Sequence, residues 1–229
     1  MRLLDRRPVL SGILLGLLSF KPHLGLLIPF ALLAGRLWIP FVSATMTVLI
    51  LAGLSVAIWG VGLWSAYLGQ DAVSMALAFL ERGSGALTVM MLTPFMAARL
   101  LGLGVGAGYA AQLICALIAF VSVVWSFRLG EDRNLQFATL ATGTFLFSPY
   151  LHNYDMAMLM GALIFLFEDS PPWKLQPRQQ FIMLCAWAMP SVAMIGSHWG
   201  VPLGPPIPLA LLTLLLGRQN LFGMAWRSG

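Results

Sequence analysis

Val9-Leu10-Ser11-Gly12-Ile13-Leu14-Leu15-Gly16-Leu17-Leu18-Ser19-Phe20 runs into Lys21-Pro22-His23 and on through Leu24-Gly25-Leu26-Leu27-Ile28-Pro29-Phe30-Ala31-Leu32-Leu33-Ala34-Gly35, and the folding of this stretch decides the architecture. Two apolar runs flank a cation, a proline and an imidazole. They form either one long helix kinked at Pro22 or two short helices, Val9–Phe20 and Leu24–Gly35, that enter and return. Pro22 disfavours helical backbone at Lys21, which permits a break there.

Counting basic residues separates the two readings. With a returning hairpin and a cytoplasmic N-terminus, ten basic residues fall inside (Arg2, Arg6, Arg7, Arg36, Arg128, Arg133, Lys174, Arg178, Arg218 and Arg227) and three outside (Lys21, Arg82 and Arg99). The single helix leaves five inside, seven outside and Lys21 within the bilayer. Cytoplasmic loops carry the excess of Lys and Arg, so the hairpin is favoured. Each leg is only about 18 Å long, so its turn lies below the outer surface, shielded by protein or open to water.

The rest of the chain has the same character. Charged residues make up 9% and hydrophobic residues 59%, the composition of a membrane protein rather than a soluble core. Phe41–Leu63 and Val105–Phe127 are the clearest spans. Phe137–Phe147, Met156–Phe167, Phe181–Ile195 and Ile207–Leu216 are shorter runs. Trp64–Gly104 is interrupted by Gln70, Asp71, Glu81, Arg82, Pro94 and Arg99, which predicts amphipathic helices on the outer surface. The reading is an all-α, polytopic transmembrane helix bundle of about eight membrane segments, 1-229 forming a single integral membrane domain with both termini cytoplasmic.

Several classes are excluded. The net charge of +5 resides mostly in short loops, where it sets orientation rather than binding nucleic acid. Arg2, Arg6 and Arg7 before an apolar run imitate a signal peptide, but Lys21-Pro22-His23 stands where a small-residue cleavage site would be. Cys115 and Cys185 each sit inside an apolar run and read as packing residues without a disulfide. No cluster has metal-cage spacing. Gly102, Gly104 and Gly106 follow no strand and read as helix-packing glycines, not a nucleotide loop.

Ionisable groups beside membrane spans are costly and mark functional sites. The hairpin topology sends His23, His152, His198, Lys21, Asp71 and Asp155 to one side, the outer one. Lys21 and His23 at a helix break suit an anionic head group. Asp155 suits a base, or a group orienting His152 three residues earlier if that stretch is helical. Tyr150, Asn153 and Tyr154 offer hydroxyl and amide groups for a sugar, and Arg99 suits an anion. The plainer alternatives are interface anchoring for Lys21, Tyr150, Tyr154 and Arg99, a structural His198, and a solvated Asp71.

The segment Ser11–Pro29 followed by Leu32-Leu33-Ala34-Gly35-Arg36 resembles the central signature of glycosyltransferase family 87. Phe95-Met96-Ala97-Ala98-Arg99-Leu100-Leu101-Gly102 and the Pro149–Asp155 cluster resemble later landmarks in the same order. The resemblance implies a GT-C-type fold in the bacterial inner membrane and no cofactor. It also implies transfer of a hexose, often mannose, from a polyprenyl-phosphate sugar to a lipid or glycan acceptor on the extracytoplasmic face. Asp155, with His152 beside it, and Asp71 are the candidate catalytic residues of this chain, and neither acid matches the first-loop acid of the family. Lys21, His23, Tyr150, Asn153, Tyr154 and Arg99 bind substrate. In such enzymes the catalytic first-loop acid precedes the Lys-Pro motif, which here begins twenty residues from Met1. The expectation is the C-terminal part of a longer glycosyltransferase, weakly active or inactive alone. The rival readings are a transporter or flippase of a polyprenyl-linked sugar, and a non-catalytic partner subunit.

Overall fold

The computed structural model describes residues 2–82, 90–169 and 171–220. Among these, regular structure is helical, apart from one isolated antiparallel bridge between Met91 and His152. Three helices are long and apolar enough to cross a membrane: Trp38–Trp59, Val105–Leu129 and Pro177–His198. At 22 residues, Trp38–Trp59 is about 33 Å long, the thickness of a hydrocarbon core. Only 6% of its apolar window is buried, so most of its surface beyond the strip met by Pro8–Leu17 is left for lipid. The shorter apolar helices are Pro8–Phe20, Pro22–Ala34 and Pro206–Arg218.

The N-terminal stretch is a hairpin, as glycine packing demonstrates. A Cβ on Gly12 would strike Ser43 Oγ and the Pro40 carbonyl, and one on Gly16 would lie 2.7 Å from Ala44 O and Thr47 Cβ. Residues 12 and 16 therefore run alongside 40 and 44 in the same direction. Two parallel helices joined in sequence require the intervening Pro22–Ala34 segment to carry the chain back. Small residues at 12 and 16 let the backbones approach this closely. The break is a 3₁₀ turn, Leu18–Phe20, followed by Lys21 at φ −124, ψ 80. The returning leg is itself divided into Pro22–Gly25 and Ile28–Ala34.

The predicted spans shift at their ends for identifiable reasons. Phe41–Leu63 becomes Trp38–Trp59, because Gly60 takes φ +78 and ends the helix. Phe137–Phe147 extends back to Arg133, where Asp132 caps it by accepting from Leu135 N at 3.0 Å. Phe181–Ile195 grows to Pro177–His198, begun by a Gln176/Gln179 capping box with proline in the first turn. Among the described residues, the interrupted region holds Val61–Leu68, Gln70–Arg82 and Pro94–Leu100, each shorter than a span. Asp71 belongs to the second of these, but its side chain lies outside the described residues, as does Arg227.

The core lies in the C-terminal half. Leu159, Leu163 and Leu166 of Ala157–Asp169 pack with Met189, Leu211, Leu214 and Leu215 in one buried cluster. A second cluster joins Leu27, Ala31 and Leu32 of the returning leg to Val123 and Phe127. The returning leg is thereby held against Val105–Leu129, and the turn at Lys21 is brought to one end of the bundle.

Candidate functional site

Two breaks in helical structure make the site. The first is the hairpin turn carrying Lys21 and His23. The second is the segment between the helices Arg133–Phe147 and Ala157–Asp169, which holds Ser148 to Met156 and forms a 3₁₀ turn at Asn153–Met156. Buried Gln112 fixes the start of this segment. Its Nε2 donates to Leu146 O at 3.0 Å and Phe147 O at 3.1 Å, and its Oε1 accepts from Phe95 N at 3.3 Å. These contacts satisfy carbonyls freed at a helix end inside an apolar interior. Sequence reasoning passed over Gln112; its signal was a lone amide in a 25-residue apolar helix. The Met90–Met91 backbone holds the far side. Asn153 N donates to Met90 O at 3.0 Å, and His152 pairs with Met91.

Lys21 Nζ donates to Asp155 Oδ1 at 2.5 Å. The Asp155 side chain is 2% exposed and that of Lys21 35%, so the lysine covers the carboxylate and keeps one side open. Asp155 Oδ2 accepts from the His152 backbone N–H at 3.2 Å. The orienting contact predicted between Asp155 and His152 thus falls on the backbone amide, because Asn153–Met156 coils as a 3₁₀ turn and brings the carboxylate back onto the main chain. His23 Nε2 stands 3.9 Å from Asp155 Oδ2, too far for a hydrogen bond. That nitrogen is buried and lacks a hydrogen-bond partner among the described residues.

Aromatic rings enclose the pair. Lys21 Nζ sits 4.7 Å from the centroid of the Tyr154 ring, a cation–π arrangement. His152 stacks on Tyr154 at 5.2 Å with 5° between planes and meets Tyr150 edge-on at 5.3 Å. Tyr150 also contacts His23 edge-on at 6.3 Å. Burial lowers the His152 pKa below the ordinary histidine value; Asp155 opposes that shift and Lys21 adds to it. The imidazole is therefore held neutral in neutral solution.

The structure brings together Lys21, His23, Tyr150, His152, Tyr154 and Asp155. Asn153 is adjacent, but its side chain turns away and donates to Met194 Sδ at 3.3 Å. Arg99 is not in the cluster: it donates to Leu103 O at 2.9 Å and Glu81 O at 3.4 Å. His198 packs edge-on against Trp199, 6.2 Å away. Among the described residues no His, Cys, Asp and Glu group could hold a metal ion.

The apolar spans, the broken N-terminal hairpin and a paired lysine and carboxylate under aromatic rings define a helical membrane protein with a polar site at one end. Residues 1–149 match the profile of glycosyltransferase family 87, and the chain belongs to that family of membrane glycosyltransferases. The match includes Lys21 and His23 and ends before Tyr150. No curated protein and no solved structure matches the chain.

Proposed function

We propose that this chain transfers a hexose, with mannose the first candidate, from a polyprenyl-phosphate donor to a lipid or glycan acceptor at the extracytoplasmic face, as a GT-C-type enzyme of the bacterial inner membrane. The observation that carries this reading is the Lys21–Asp155 pair at the hairpin turn. An ammonium has three donors, and only one is used on Asp155. The open side of Lys21, with the unpartnered His23 Nε2, suits the donor's phosphate. The exposed Tyr150 and Tyr154 rings supply the surface on which a sugar packs.

The acceptor hydroxyl oxygen attacks the anomeric carbon as the bond from that carbon to the phosphate oxygen breaks. The electron pair leaves with polyprenyl phosphate. The hydroxyl proton passes to Asp155, whose Oδ1 is released as Lys21 turns to the phosphate. Phosphate is a good leaving group, so Lys21 stabilises the developing charge rather than donating a proton. His152 presents its amide to Asp155 and its neutral ring to the Tyr154 face.

The topology belongs to the same reading: both termini cytoplasmic, the hairpin re-entrant from the inside, and Lys21 and Asp155 facing out. The ten-to-three distribution of basic residues supports it. The test is a lipid-reconstituted assay with polyprenyl-phosphate mannose and polyprenyl-phosphate glucose over a panel of lipid and glycan acceptors. Weak transfer by the chain alone, abolished by Lys21→Ala and Asp155→Asn, is the expected result. Transfer unchanged in both variants would remove the site, and no binding of either donor would remove the donor class.

A further inference from the structure

A polar cavity is bordered by the Met91–Thr93 segment, next to the Met90 and Met91 backbone that holds Asn153 and His152. It measures about 210 Å³ and is lined by Thr93, Met96, Arg99, Ser197, Pro202 and Gly204 among others. Its walls are fixed. Thr93 and Ser197 are buried. Gly204 packs so closely on Leu92 that a Cβ there would strike the Leu92 carbonyl, tying the Ser197–Pro206 loop to Met91–Thr93.

Among the described residues, the charge in this cavity is uncompensated. Arg99 has five N–H donors and cannot lose its proton. Two of its nitrogens reach backbone carbonyls, of Leu103 and Glu81. Its Nε is buried and has no hydrogen-bond partner. No carboxylate pairs with it. The neighbouring Glu81 carboxylate is engaged instead by Tyr109 Oη at 2.9 Å. A part-buried guanidinium whose Nη1 and Nη2 each keep a second N–H beyond the two carbonyl bonds, in a cavity also lined by Thr93 and Ser197, has donors to spare for an anion.

We infer that the Arg99 cavity is an anion site of the phosphate class, separate from the one at Lys21. Lys21, His23 and Asp155 do not line this cavity, and the hydrogen bonds of Arg99 go to Leu103 and Glu81 rather than to that cluster, so the two sites have separate linings. The ligand is either a lipid phosphate headgroup or a free phosphate.

The experiment uses the full chain and reads modification of Arg99 by phenylglyoxal through peptide mass spectrometry, with Arg133 as the internal reference. Three conditions are each compared with chloride in detergent at equal ionic strength: inorganic phosphate in detergent, phosphatidylglycerol vesicles, and vesicles of a phosphate-free galactolipid. Phosphate contact is expected to slow Arg99 modification at least about 10-fold, in line with loss of a charge-assisted hydrogen bond. Protection by phosphatidylglycerol alone assigns a headgroup; protection by inorganic phosphate assigns a soluble phosphate. Equal reaction in all three conditions overturns the site. Lys21→Gln is expected to leave the Arg99 protection in place. Loss of protection in that variant would merge the two sites into one and overturn their separation. Donor binding is read at Lys21 and anion protection at Arg99, so either conclusion can fail without the other.

Discussion

Lys21 and Asp155, 134 residues apart in sequence, meet at 2.5 Å with the carboxylate buried beneath the lysine. The contact joins the turn of the N-terminal hairpin to the loop between two core helices. It gives the exposed ammonium a fixed position beside His23, Tyr150 and Tyr154. Removing either partner leaves a charge without its counterpart in an apolar setting.

A double-mutant cycle measures that dependence. Lys21→Met and Asp155→Asn are each expected to destabilise the protein by about 1–2 kcal/mol, less than for a fully buried pair because Lys21 is 35% exposed. The double variant is expected to lose clearly less than the sum of the two. Unfolding in mixed micelles by denaturing detergent provides the measurement, and strict additivity would show that the contact carries no energy.

The same residues have separable effects on transfer. Lys21→Ala is expected to weaken binding of a polyprenyl-phosphate sugar. Asp155→Asn is expected to reduce turnover by roughly 10²–10⁴ while donor binding changes little. Equilibrium binding of the labelled donor, set beside the transfer rate, separates the two. A Lys21→Ala protein that binds donor like the parent contradicts the phosphate role.

Orientation can be read from outside the cell. In a protein without Cys115 and Cys185, His198→Cys is expected to react with an impermeant thiol reagent, and Lys174→Cys only after permeabilisation. The opposite pattern would invert the topology, and with it the face on which Lys21 lies.

The hairpin rests on two small residues. Gly16→Ala places a Cβ 2.7 Å from the Ala44 carbonyl, a backbone atom that cannot swing aside. The expected cost is about 1–3 kcal/mol from overpacking, and more for Gly16→Val. Gly53→Ala is the control. It lies in the Trp38–Trp59 helix, where an added Cβ would meet nothing within 4 Å, so it is expected to be neutral or slightly stabilising. Equal tolerance at positions 16 and 53 would mean that the parallel pairing is absent.

His152 makes stability depend on pH. Burial depresses its pKa in the fold, so the unfolded chain takes up the proton first as pH falls. Its contribution is fully present above the ordinary value of about 6.5 and is lost progressively below it. Thermal unfolding between roughly pH 5 and 8 is expected to show this fall, with a shallower slope in His152→Gln. An identical slope in the variant would assign the dependence to another group.

The sequence by itself determined the solvent and the secondary structure. Long apolar runs such as Phe41–Leu63 read as lipid-facing helices, because a helix pairs its backbone groups within its own segment and needs about 20 apolar residues to span. Pro22 after Lys21 marked the break, and the basic residues favoured a returning hairpin. Lys21, His23, Tyr150, His152, Tyr154 and Asp155 were legible as candidates because ionisable and hydroxylic groups in such a chain are costly. What only the tertiary structure decided is who meets whom. Composition put Lys21, Arg99, Asp71 and Asp155 on the same side of the membrane without saying which of them touch. Packing of the returning leg on Val105–Leu129, and Gln112 holding the end of Arg133–Phe147, bring Lys21 to Asp155 and leave Arg99 in a cavity of its own. Asn153 shows the same dependence: the 3₁₀ turn at Asn153–Met156 sends its amide to Met194 while Asp155 faces Lys21. Local pattern fixes where a chain bends, but the direction of a side chain after the bend is set by residues distant in sequence.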